Sequence, residues 1–270
     1  MSDPRAEAQA LSDQAVATMA KALQEACVDV DYPSLPSLDF ADVTQGILAR
    51  QFQLWSVGVL SPAATTVPVY PLVARSLVDG VITLAWLSKN PGSAEQFKIY
   101  SAGRLKLLAE HWKVRDFGDQ TEAMHEYAGQ LTEVASSERW SAVLAVDVGD
   151  WNGKNIRQTA IDAGLKDLYD LWYSPLSADT HSEWMSLREH YVRPCNEELH
   201  PPHWVPIFDR PSRSVNSTAL FTQFMFLSIE YAEKCLSVQI EGIEGVGELV
   251  ARAAELMLEV GSPVKRSDTA

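Results

Sequence analysis

The chain has 270 residues, 36 of them acidic and 22 basic, for a formal charge of −14. Hydrophobic residues make up 46% and charged residues 21%, which is too apolar for a disordered chain and enough for one sizeable core. The acidic balance excludes a general nucleic-acid-coating surface, which needs basic side chains to displace counterions; only a local basic cleft stays open.

Cys27, Cys195 and Cys235 are an odd number of cysteines without close spacing, so no disulfide framework is expected and a reducing cytoplasm is the natural compartment. The opening MSDPRAEAQALSDQ has no basic region followed by an apolar one and does not read as a signal peptide.

Helical periodicity dominates from the start. Leu11, Ala15, Met19, Leu23 and Cys27 recur every four residues and predict an amphipathic helix over 5–27. Residues 28–39 carry two prolines and no period, so they read as a linker. A second helix over 42–60 follows Ile47, Leu48, Gln51, Phe52, Trp55 and Val59, and Ser61-Pro62 breaks it. Residues 67–87 are apolar enough to resemble a membrane span, but Arg75 and Asp79 lie at the centre, where lipid would penalise each. A buried protein helix fits better, ending at Asn90-Pro91.

Ser93-Ala-Glu-Gln96 has the capping-box pattern and opens a helix through Phe97, Tyr100, Arg104, Leu105, Leu108 and Trp112. Asp116–Asp119 is a turn, and helix resumes over 121–136. The run 141–148 fits a short strand or a helical turn equally well. Helices follow over 154–163, closed by Gly164 as a left-handed cap, and over 165–174, where Ser174-Pro175 interrupts or restarts the helix. Residues 193–214 hold five prolines and no period, a long loop of the kind that is often functional. Asn216 or Ser217 caps an apolar helix to Leu236, and a last amphipathic helix runs over 241–260. The expected fold is an all-α single-domain bundle of about eight to ten helices. Its expected division is an N-terminal helix and linker (1–40), a helical core (41–262) and a disordered tail (263–270).

Two constellations could carry chemistry. Arg75 and Asp79, four apart, share one face of an apolar helix; they form either a structural ion pair or a polar centre in the core. Tyr169, Tyr173, Ser177 and His181 also recur every four residues, which aligns hydroxyls and an imidazole on one helical face. A lone histidine is more often a hydrogen-bonded structural residue, so this reading competes with a bland one. His181, Glu183, His190, His200 and His203 cluster in sequence, but without the thiolate partners of closed zinc sites no metal is expected. Nor does His181-x-Glu183 make a zinc deaminase, because Cys195 has no partner at Cys-x-x-Cys spacing. No cofactor is expected either. Trp151, Trp172, Trp184 and Trp204 read as core or interface anchors.

The Arg75-x-x-x-Asp79 helix, the following Leu-x-x-Asn-Pro and Phe-x-x-Tyr patterns, and the Tyr173-x-x-x-Ser177-x-x-x-His181 segment together resemble a bacterial family of all-helical proteins of unknown function. The resemblance spans about 65–240 and implies a helical fold but no established activity. Asp79 stands where that family usually has glutamate, one methylene shorter. A looser similarity is to the HEPN helical ribonucleases, through Arg104-x6-His111 and Arg193-x6-His200; about one such match is expected by chance in this composition.

The functional expectation is a cytoplasmic helical effector whose polar site uses Arg75, Asp79, Tyr173, Ser177 and His181. It would hydrolyse a phosphodiester or nucleotide, with His181 as general acid–base and Arg75 as anion stabiliser. By HEPN analogy the setting would be bacterial defence and the ligand RNA or a nucleotide, with no membrane partner. The rival is a non-catalytic interaction protein, with the apolar 217–236 helix supplying a homodimer face.

Overall fold

The structure is a computed structural model, described over residues 3–137, 151–197, 201, 203–208 and 216–261. The 141–148 run, His200 and the 263–270 tail lie outside the described residues.

The fold is an all-α bundle. α1 (Pro4–Val28) starts with Pro4 in its first turn and Asp3 as N-cap, whose carboxylate accepts the Arg5 N–H at 3.0 Å. The linker runs over 29–37 and contains a 3-10 turn at Tyr32–Ser34; Ser37 caps α2 (Leu38–Leu60), which starts earlier than the apolar pattern begins. α3 (Tyr70–Lys89) starts later than expected, with Pro71 in its first turn. At Ser93 the capping box is not made: that residue is already helical, and a 3-10 turn (Pro91–Ser93) runs directly into α4 (Ala94–Lys113). The α4–α5 turn is held by Asp116, whose carboxylate accepts from the Gly118 N–H and the Thr121 hydroxyl, and α5 spans Thr121–Ser137. α6 (Ile156–Ala163) closes at Gly164, in the left-handed region at φ 80°, as its position in the sequence predicts.

α7 (Lys166–Leu168), a π-helical turn (Tyr169–Tyr173) and α8 (Ser174–Thr180) follow one another without a break. Pro175 has no N–H and its ring crowds the carbonyl four residues back, which would disrupt a regular α-turn. The wide turn just before it relieves that conflict: the Ser174 N–H reaches five residues back to the Tyr169 carbonyl. The expected break is therefore a bulge. α9 (Trp184–His190) is not foreshadowed by periodicity. The proline-rich loop contains an antiparallel pair, β1 (Val192–Pro194) and β2 (Trp204–Pro206), in register Arg193↔Val205. α10 (Ser217–Leu236) and α11 (Val246–Gly261) complete the fold.

α3 is long and apolar enough to cross a membrane, yet here it is the central helix of the bundle. Leu77, Val78, Val81, Ile82, Leu84, Ala85 and Leu87 are fully buried against α2, α6, α8 and α10. Two glycines set how closely the helices approach. A Cβ at Gly58 would lie 2.3 Å from the Phe221 ring, and one at Gly80 would lie 2.4 Å from the Gln51 amide. Gln51 is itself buried and donates to the Leu77 carbonyl (2.6 Å) and to Ser228 Oγ (2.9 Å), which pins α2 to both neighbours. α1 enters the same core through Ala15, Met19, Ala22 and Leu23, and packs on α11 through Ala8, Ala253 and Leu256.

Candidate functional site

α3 lies against the π turn and α8, so the two sequence constellations are packed face to face. Arg75 Nη2 donates to the Tyr173 hydroxyl at 3.0 Å, and the guanidinium carbon sits 5.1 Å from the centre of that ring. Tyr173 is almost wholly buried and stacks on the half-buried Tyr169, with centroids 5.2 Å apart and planes 19° from parallel. Arg75 Nε is buried and has no hydrogen-bond partner among the described residues. Leaving such a donor unmet costs about 1–3 kcal/mol, more for a charged group, and calls for a specific explanation.

Asp79 is on the exposed edge of α3, so the ion pair expected inside the domain is not a buried one, and the described partner of the guanidinium is Tyr173. Asp79 still acts on the site. Burial first, and then the Asp79 charge, push the Tyr173 hydroxyl above the ordinary tyrosine value, with Arg75 opposing. Tyr173 therefore keeps its proton at neutral pH and can donate it.

Ser177 is half-buried one turn further on. His181 is the C-cap of α8 and exposed, and Ser182 behind it takes a left-handed conformation at φ 54°. Eight residues beyond Tyr173, His181 is displaced by about 12 Å of helix axis. The structure thus joins Arg75 directly to Tyr173, brings Asp79 within electrostatic range, and puts His181 at the end of the seam.

Sequence reasoning missed a second polar group near that end of the seam. Asp179 accepts a short hydrogen bond from the Ser186 hydroxyl. Burial, together with the Asp179 charge, pushes the hydroxyls of both Tyr70, at the start of α3, and Tyr191, just after α9, above the ordinary tyrosine value; Glu189 adds to the effect at Tyr70. No local pattern announces this group, because its members come from three helices and the turn after α9; only the proximity of Asp179 to Ser177 in the sequence hinted at it.

Among the described residues no group of three or more histidine, cysteine or acidic side chains could hold a metal ion. Trp151 packs edge-on between Trp86 and Phe97, Trp172 against Phe224, and Trp184 against Trp204. Of the HEPN-like spacings, Arg104-x6-His111 lies on one helix and the His200 of the other is outside the described residues. Arg104 and His111 are both exposed on α4, Arg104 turning to Tyr100, and Arg193 lies in β1.

A helical bundle with a polar seam between its central helix and a π-bulged neighbour is the class this geometry defines. The chain belongs to a family of unknown function, DUF5677, which matches residues 56–199, just over half its length. That span holds all of Arg75, Asp79, Tyr173, Ser177 and His181, and none of α1, α10 or α11. No curated protein and no solved structure matches the chain.

Proposed function

We propose that the Arg75–Tyr173 centre recognises a phosphate-bearing ligand, a phosphodiester or a nucleotide. The observation that carries this reading is the guanidinium itself: one amino group is fixed by Tyr173 while the buried Nε has no acceptor among the described residues. Arg presents paired donors that suit phosphate oxygens, and a prefixed fork loses little entropy on binding. The protonated Tyr173 hydroxyl adds a second donor.

In the catalytic form of this reading the protein is a hydrolase. A water oxygen bonds to phosphorus and releases a proton to solvent as the ester P–O bond breaks, and the departing oxygen takes a proton. His181 is the residue proposed to supply it, acting on a substrate that extends along α8. A cytoplasmic setting and a role as a bacterial defence effector belong to the same proposal.

The test is binding of inorganic phosphate and ribose 5-phosphate by calorimetry, followed by hydrolysis assays on short RNA. Arg75→Gln should abolish binding, and His181→Ala should leave binding intact while removing hydrolysis. Unchanged phosphate binding in Arg75→Gln would sink the site. Hydrolysis surviving in His181→Ala would remove the histidine from the chemistry.

A second reading, a non-catalytic interaction or homodimer protein, is favoured by one observation. α10 spends Phe221, Phe224, Met225 and Ile229 in the core, but it and α11 splay to leave a groove of about 620 Å³ lined by Phe226, Leu227, Val250 and Leu258. Light scattering on wild type and Leu227→Arg distinguishes the two readings: a dimer lost in the variant supports the second.

A further inference from the structure

We infer that the ligand is a nucleotide whose base stacks on Tyr169; this rests on the phosphate-binding reading of Arg75. Arg75 contacts the Tyr173 ring, and Tyr173 stacks on Tyr169. With centres 5.1 and 5.2 Å from the Tyr173 ring, the guanidinium and the Tyr169 ring are at most about 10 Å apart. An anion site and an aromatic surface are therefore held at a separation that one nucleotide can bridge. Tyr173 is spent on its neighbours, but Tyr169 remains half-exposed at the edge of the pair.

The backbone supports this placement. The π turn begins at Tyr169 and ends at Tyr173, so the two stacked rings are the first and last residues of the bulge. Such single bulges recur at functional sites. The outer surface beside Tyr169 is polar, with Lys166 paired to Asp170 one turn apart, so a base laid there keeps its edges near water and charged groups. Stacking on an aromatic ring is indifferent to base identity, because every base has a π-face. The inference therefore names a nucleotide and no particular base. It also fits the strongly acidic surface, since a single bound nucleotide needs one cation and not a basic track.

The experiment compares inorganic phosphate, ribose 5-phosphate and AMP by calorimetry on the full chain. AMP should bind roughly 5- to 100-fold tighter than ribose 5-phosphate, the gain of one base–aromatic stack. Tyr169→Leu should erase that gain, so that AMP and ribose 5-phosphate bind this variant equally, and Tyr169→Phe should keep it. Should Tyr169→Leu fail to fold, Tyr169→Trp serves instead: AMP should quench its fluorescence and ribose 5-phosphate should not. Equal affinity for AMP and ribose 5-phosphate, or a gain that persists in Tyr169→Leu, overturns the stacking inference and spares the Arg75 site. Absence of binding by all three probes overturns the Arg75 reading, and the nucleotide inference falls with it.

Discussion

Cys235 shows how one buried side chain sets a pH limit on the whole fold. Burial in the core pushes its thiol up to about 11 from the ordinary value near 9, despite a nearby Thr44 hydroxyl. Between those values the unfolded chain has lost the thiol proton and the native chain has kept it. The native state then binds more protons, so stability falls as pH rises through this window. The loss is on the order of 2–3 kcal/mol by pH 11. Thermal melts from pH 8 to about 9.5, below the range where the three raised tyrosines contribute much, should show the decline in wild type and a flatter profile in Cys235→Ala, with a residual slope from Cys27, whose thiol is also pushed up by burial.

Ser182 offers a second test at this scale. Its N–H reaches the Asp179 carbonyl, and the following Glu183 N–H closes onto Ala178 at 3.0 Å, the hydrogen-bond pattern of a left-handed helix stop that glycine usually fills. A serine at φ 54° bears the steric cost of its Cβ. Ser182→Gly should therefore raise stability by about 1 kcal/mol, offset in part by glycine's greater freedom when unfolded. A melting temperature below wild type would show that the Ser182 side chain contributes something the backbone geometry does not reveal.

At the scale of elements, two glycines on neighbouring helices separate helix propensity from packing. Gly46 is exposed in the middle of α2, and a methyl added there would meet nothing within 4 Å, so Gly46→Ala should stabilise by roughly 0.5–1 kcal/mol. Gly80→Ala makes the same propensity gain but drives a methyl into an amide held by two hydrogen bonds. Overpacking of that kind costs typically about 1–3 kcal/mol, so the net sign should reverse. Denaturant unfolding of the two variants gives the comparison directly; a Gly80→Ala protein as stable as wild type would mean that Gln51 swings aside.

What was legible in the sequence follows from how local each signal is. Four-residue apolar spacing located α1 and most of α2, and Gly164 marked the end of α6, because periodicity and a left-handed cap are properties of contiguous residues. Pro175 was visible, but whether it breaks a helix or widens one turn depends on packing against α3. The link between Arg75 and Tyr173 could be anticipated as two polar stripes on apolar helices in need of partners. Asp79 escaped because its face is set by how α3 rotates in the bundle. Tyr70 and Tyr191 escaped because they meet Asp179 only through tertiary contact.

For the whole molecule, a formal charge of −14 on 270 residues makes self-repulsion a persistent term against compactness. Its relief should be measurable: raising sodium chloride from about 10 to 300 mM shortens the screening length and should raise the melting temperature. The exposed ion pairs Lys234–Glu230 and Arg252–Glu255 weaken under the same change, but pairs of this kind contribute little. A melting temperature that falls with salt would show that such local pairs outweigh the global repulsion.

The contact between α1 and α11 also fixes an order of events at the ribosome. Ala8 rests on Ala253 and Leu256, so α1 completes its packing against a helix made about 245 residues later (253 − 8). At about 5–20 residues per second, that wait is roughly 10–50 s. The second half of α1, with Met19 and Leu23, joins the cluster that also holds Leu48 and Trp55 of α2, and so has an early partner. Its start, around Ala8, packs instead on α11. A nascent chain therefore carries this apolar ridge uncovered until α11 has been made, a surface on which a holdase chaperone can act in the interval.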